Sequence, residues 1–171
     1  MAKFLTLNTH SWLEANSLKK LFDLAETIYS ENYDVICLQE INQDIRGLLT
    51  KEVDGYEKLP GSPALHRDNY ALQLVNYLRS QGRYYYWSWA YNHIGYEKYN
   101  EGVVILSKTP IKVNDILVSD VDDETDFHTR RVLVAETEID QKPITVVSLH
   151  MSWFGKGFES EWQKLETALL D

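Results

Sequence analysis

With 171 residues, 44% of them hydrophobic and 25% charged, the chain is long enough to bury one substantial core and short for two, so a single domain over residues 1–171 is expected and a disordered or fibrous chain is excluded. The formal net charge of −9 disfavours nonspecific capture of a polyanion without a local basic patch or bridging cations. The lone Cys37 excludes an internal disulfide and a cysteine-rich metal centre; no run reaches the roughly 18 apolar residues of a membrane span, and MAKFLTLNTH lacks the segments of a secretory signal, so a cytoplasmic chain is expected.

KFLTLNTH predicts a short buried strand ending at Asn8. Over residues 17–30 the apolar positions Leu18, Leu21, Phe22, Ala25, Ile28 and Tyr29 recur at helical spacing, with Asn16 or Ser17 to cap the first turn. DVICLQE is polar only at its ends, as in a central strand covered on both faces, and its exit carries Glu40. Residues 43–66 hold Gly47, Gly55, Pro60, Gly61 and Pro63, the punctuation of a long loop with room for a short element at LLTKEV.

A second helix is predicted over residues 68–81, with Ala71, Leu74, Val75 and Leu78 on one stripe, Asp68 or Asn69 as cap and Gly82 as stop. RYYYWSWAYNHIGYEKYN, GVVILSK, RVLVAETEI and PITVVSLHM then predict consecutive strands. Alternation along the first of these places half of the rings between Tyr84 and Tyr91 in the core, although such rings also stack on bases or sugars. From Phe158 to Leu170, Trp162, Leu165, Ala168 and Leu169 follow helical spacing without a stop signal, so the chain is expected to end in mid-fold.

Three polar residues, Asn8, Glu40 and His150, stand where apolar runs end. Side chains at strand exits are held by a rigid core yet reach solvent, and three of them are more simply explained by one site than by three accidents. A carboxylate at Glu40 is costly to desolvate unless it meets a cation or donors, and a divalent metal is one such partner; a turn carboxylate bonded to backbone is the other reading. Asn8 either orients a phosphate or a metal-bound water or satisfies the turn. His150 either contacts a phosphoryl oxygen or packs as a structural histidine. DVDDETD fails as a calcium loop, because Thr125 stands at its sixth position and Arg131 at its twelfth. His66, His93 and His128 lack metal-ligand spacing.

The segments LNTH, ICLQE, NEGVVILSK, RRVLVAET and VVSLHMSW, in that order, resemble the endonuclease/exonuclease/phosphatase superfamily of deoxyribonuclease I-like proteins over nearly the whole chain. The resemblance implies an α/β fold, a four-layer α/β/β/α sandwich, seen here as its apparently C-terminally truncated N-terminal part. It implies metal-dependent phosphoester hydrolysis (phosphodiesterase, nuclease or phosphatase) by the full-length form with Mg²⁺ or Mn²⁺, on a phosphorylated small molecule, a lipid headgroup or a nucleic acid. By this resemblance Glu40 is the metal ligand, Asn8 lies beside metal and scissile phosphate, His150 contacts phosphate, Glu101 is a further catalytic position, and Arg130 and Arg131 are phosphate-binding. The family's later Gly-Asp-x-Asn motif and Asp-His pair have no counterpart in this sequence, which leaves the general base unaccounted for. A noncatalytic binding or regulatory module on the same fold is the alternative.

Overall fold

The architecture is that of a computed structural model describing residues 1–51 and 53–170. Its elements run β1 (Phe4–Asn8), α1 (Ser17–Glu31), β2 (Val35–Asp44), α2 (Tyr70–Ser80), β3 (Tyr86–Gly95), β4 (Tyr99–Ser107), β5 (Lys112–Leu117), β6 (Arg131–Ile139), β7 (Lys142–Ser148) and α3 (Phe158–Leu170). The first sheet has the order β1-β2-β4-β3 and the second β5-β6-β7. β1 pairs with β2 in parallel; the remaining pairs are antiparallel.

Alternation decides which side chains go where. Ile36, Leu38, Ile41, Trp87, Trp89, Val104 and Leu106 point to the outer face of the first sheet, where α1 packs through Leu21, Ala25 and Ile28 and α2 through Leu74, Val75 and Leu78. The intervening residues Val35, Ala90, Val103 and Ile105 meet Leu133 and Ala135 of β6 between the sheets. Helix α3 seats Leu165 with Val132 and Val134 on the outer face of the second sheet. The result is the expected α/β/β/α order of layers. Trp87 and Trp89 are completely buried, each contributing about 2–3 kcal/mol by removal from water. Tyr84 is exposed while Tyr85 is buried, so the expected alternation of the aromatic run holds.

Several expectations change. β1 is an edge strand, mostly exposed rather than buried, because it pairs on one side only. β5 is an additional strand; its polar alternation, KVNDIL, belongs to a half-covered edge and carries a weak apolar signal. β4 starts at Tyr99, so Glu101 sits inside a fully buried strand and not in a loop before it. At LLTKEV the described residues form no helix or strand beyond a bridge between Leu49 and His66; Glu52 lies outside the described residues. The first helix has Asn16 at its N-cap with no side-chain capping bond, whereas Asn69 caps the second by accepting from Leu72 N–H at 3.1 Å.

Candidate active site

Glu40 is not at a strand end. β2 continues to Asp44, and Glu40 lies at a bulge where the register with β4 slips between Leu38 and Ile41. The glutamate has φ of 55°, a left-handed conformation that costs a non-glycine residue roughly 1–2 kcal/mol. The loop after β1 takes up the carbonyls that the bulge diverts from the β2–β4 ladder. Thr9 donates to Gln39 O from its N–H (3.1 Å) and its hydroxyl (3.0 Å), and the buried Ser11 hydroxyl donates to Glu40 O at 2.6 Å. From the far side Trp89 Nε1–H donates to Ile41 O at 3.2 Å. The bulge is thereby satisfied on both flanks, and the Glu40 carboxylate is aimed out of the sheet.

Asn8, the last residue of β1, is oriented unambiguously. Its Oδ1 accepts from His10 N–H at 3.1 Å, so its Nδ2 donates to Glu40 Oε1 at 2.9 Å. The His150 Nε2 lies 3.8 Å from the same Oε1, two residues beyond the end of β7. Asn8, Glu40 and His150 therefore do converge, brought together from three strands of two sheets.

Glu101 enters from β4 across from Asn42 on β2 and His93 on β3, a polar row on the face between the sheets. His93 Nδ1 lies 3.4 Å from Thr129 O, which fixes its donor side and leaves Nε2 3.6 Å from Glu101 Oε1. Burial, and then the negative charge of Glu40, pushes the Glu101 carboxyl up to about 7, against the pull of Arg130 and His10. Glu101 Oε2 and both amide atoms of Asn42 are buried without a protein partner. Gly102 makes the row possible: a Cβ there would meet Ala90 O at 2.0 Å and Trp89 Nε1 at 2.8 Å.

Arg130 immediately precedes β6; burial lowers its pKa, opposed by the negative charges of Glu161, Glu101 and Glu40, and a guanidinium stays charged throughout. Burial and the nearby Arg130 also hold His150 below the usual histidine value, with Glu40 opposing. Arg131 is placed elsewhere. Its guanidinium bonds Asp122 at 2.5 Å and lies 3.4 Å from Asp115, so of the two predicted phosphate-binding arginines only Arg130 joins the site.

His93 and Glu161 are members that sequence reasoning did not find. His93 sits in an aromatic strand and gave no spacing signal; its clue is a lone imidazole at an inward register position. Buried Glu161 on α3 accepts from Ser152 N–H at 2.7 Å and Ser152 Oγ–H at 2.6 Å, tying down the loop that carries His150.

Among the described residues no group of three or more His, Cys, Asp or Glu side chains is arranged to hold a metal ion. The residues nevertheless fit a hard cation of the kind that keeps most of its waters and takes one or two carboxylates plus substrate phosphate. Glu40 offers one oxygen beyond that bonded to Asn8, and the partnerless Glu101 oxygen marks an unmet demand for positive charge or a donor nearby.

A family model described as the Endonuclease/Exonuclease/phosphatase family matches residues 6–166. The chain belongs to this family. Among solved structures, an endonuclease/exonuclease/phosphatase family protein from Leptotrichia buccalis C-1013-b superposes with a TM-score of 0.85 at 28% identity, over 98% of this chain and 61% of that one. A protein from Beutenbergia cavernae DSM 12333 of the same description gives 0.64 at 15% identity, over 97% and 42%. D. rerio TDP2, complexed with single-strand DNA product, gives 0.53 at 14% identity, over 98% and 51%. The last two show likeness of fold alone. The chain thus spans about three fifths of the length of the Leptotrichia protein. No curated protein matches it by sequence.

Proposed function

We propose that the chain carries the phosphate- and metal-binding face of a divalent-metal-dependent phosphoester hydrolase, acting in a form with the length of its structural neighbours. The observation that carries the reading is the Glu40 carboxylate, fixed on a satisfied bulge, bonded by Asn8 and faced by His150, with the charge of Arg130 felt at the same site. TDP2 bound to a DNA product and ANGEL2, described as a 2',3'-cyclic phosphatase, share the fold and support a phosphoester as the substrate.

Glu40 would hold Mg²⁺ or Mn²⁺, with the remaining lone pair of the Asn8 amide oxygen, whose other accepts from His10 N–H, as a second ligand; the cation would supply Lewis-acid neutralisation of phosphoryl charge. Arg130, half-buried with its Nε left without a protein partner, adds a positive charge and an unspent donor for a non-bridging phosphoryl oxygen. His150, held below the usual histidine value by burial and Arg130, donates a hydrogen bond to a phosphoryl oxygen without an imidazolium charge that would compete with the cation for Glu40. Asn8 fixes the orientation of Glu40. Glu101 and His93 form the polar floor that sets the local charge. Activation of the attacking water is not assigned to any of these residues.

Mn²⁺ binding followed by electron paramagnetic resonance, in parallel with hydrolysis of bis-p-nitrophenyl phosphate with and without Mg²⁺ or Mn²⁺, tests the reading. Glu40→Gln is expected to weaken Mn²⁺ binding at least tenfold, about 1.4 kcal/mol, with the melting profile retained and any turnover abolished. Equal Mn²⁺ affinity in the two proteins removes Glu40 from the site. A folded chain with neither metal affinity nor turnover favours a noncatalytic module on the same fold.

A further inference from the structure

Between the β5–β6 loop and the β7–α3 loop, next to Arg130, lies a groove of about 280 Å³ lined by Phe127, His128, Arg130, Ser152, Trp153 and Lys156. We propose that it seats the planar base of a nucleotide-type substrate whose phosphate is held by Arg130 and by the cation assigned to Glu40, an assignment that rests on the phosphoester reading above.

Two of the lining rings are left in solvent by a chain that buries Trp87 and Trp89 completely: Phe127 is 62% exposed and Trp153 78%. Each has a polar neighbour beside it. The Phe127 and His128 rings lie 4.0 Å apart at 33°, and Asp126 Oδ1 holds the His128 imidazole at 2.7 Å. On the other loop, Lys156 N–H donates to Trp153 O at 2.9 Å, and the Lys156 ammonium lies 5.7 Å from the Trp153 ring centroid. Exposed rings on two facing loops are the parts of a stacking platform, which takes any base because every base has a π-face.

The charges match the same ligand. Arg130 and Lys156 place two cations at the groove of a chain whose net charge is −9, complementary to a phosphate lying between groove and Glu40. The groove is slightly smaller than the roughly 300–1,000 Å³ typical of drug-sized ligands, so it suits one ring system rather than a stretch of polymer. A lipid surface fits less well, since Ser152, His128 and Lys156 interrupt the rings.

Binding of AMP and of ribose 5-phosphate in the presence of Mn²⁺, measured by calorimetry on the 171-residue chain and on Trp153→Ala and Phe127→Ala, decides the matter. AMP is expected to bind roughly tenfold or more tightly than ribose 5-phosphate, and the ratio to fall toward one in each variant. Both changes are at exposed rings, and thermal melts monitor folding. Equal affinities in the wild-type chain overturn the base assignment; a Glu40-dependent Mn²⁺ signal in the same samples then shows that the phosphoester reading survives. Failure to bind either ligand also overturns it, and loss of the Mn²⁺ signal would extend the failure to the site itself. Cosedimentation with phosphatidylcholine/phosphatidylserine vesicles that Trp153→Ala abolishes would assign the rings to a lipid surface instead.

Discussion

Glu101 concentrates the electrostatic cost of the site in one carboxyl group. Its folded-state pKa, pushed up to about 7 from an ordinary 4.5, means that the folded chain binds more protons than the unfolded one between those values. Stability from this group is therefore fully present below about pH 4.5 and is lost as pH rises through about 7. His93 and His150, both held below the ordinary histidine value by burial, act oppositely: their neutral forms favour folding above the usual histidine range, and that contribution is lost as pH falls. Comparing Glu101→Gln with wild type isolates the first effect. In metal-free buffer the variant is expected to be about 2 kcal/mol more stable at pH 8 and unchanged at pH 4.5, a rise in Tm of roughly 4–8 °C. Calorimetric melts at the two pH values check this; an equal or lower Tm at pH 8 would show that Glu101 is not destabilised by its burial.

At the scale of the elements, the site depends on two strands that break their own regularity. β2 bulges at Glu40, and β3 slips register with β4 between Tyr91 and His93; β4 runs between them with Gly102 at the pinch. Gly102→Ala is expected to destabilise the chain by more than about 3 kcal/mol, since its methyl group would overlap the Ala90 carbonyl in a fully packed sheet. Urea unfolding measures it, and a loss under 1 kcal/mol would mean that β3 and β4 part without cost. These irregularities also explain what was legible in the sequence. The strand cores and all three helices follow from apolar periodicity, because burial alone dictates them. Asn8, Glu40 and His150 were found because a polar residue closing an apolar run stands out. The continuation of β2 past Glu40 was not, since Ile41 to Asp44 resemble loop sequence once the alternation is reset, and His93 and Glu161 owe their places to pairings across β3–β4 and α3–loop that leave no local trace.

The whole molecule is a sandwich with uneven cover. β1 and β7 are both edge strands of their sheets, and Phe4 and Leu7 on β1, with Leu169 and Leu170 at the end of α3, are exposed. Unpaired edges flanked by apolar side chains template association. The isolated 171-residue chain is accordingly expected to associate at roughly 10–100 μM, with Phe4→Lys shifting it toward monomer in sedimentation velocity. A monomeric wild-type chain across that range would show that the net charge of −9 suffices to keep the edges apart. No helix among the described residues is long and apolar enough to cross a membrane. The order of strands and helices made only an α/β class legible; the α/β/β/α layering was implied by the family resemblance. The pairing of β1 with β2 and the position of β5 were not, because edge strands are set by neighbours and not by their own composition.

The bulge in β2 acts as a frameshift written into a protein strand. Ile36 and Leu38 before it and Ile41 after it all face the helices, which strict alternation would forbid, and the inserted position is what lets Glu40 leave the sheet while the core resumes in phase. Substitution can alter what stands at position 40 but cannot restore the lost phase. Loss of a single codon at 39 or 40 would leave Ile41 helix-facing in an unbroken ladder and erase the carboxylate's exit at one stroke. In a lineage of such chains, gain or loss of this chemistry would therefore follow insertions and deletions at one site more closely than it follows overall sequence divergence.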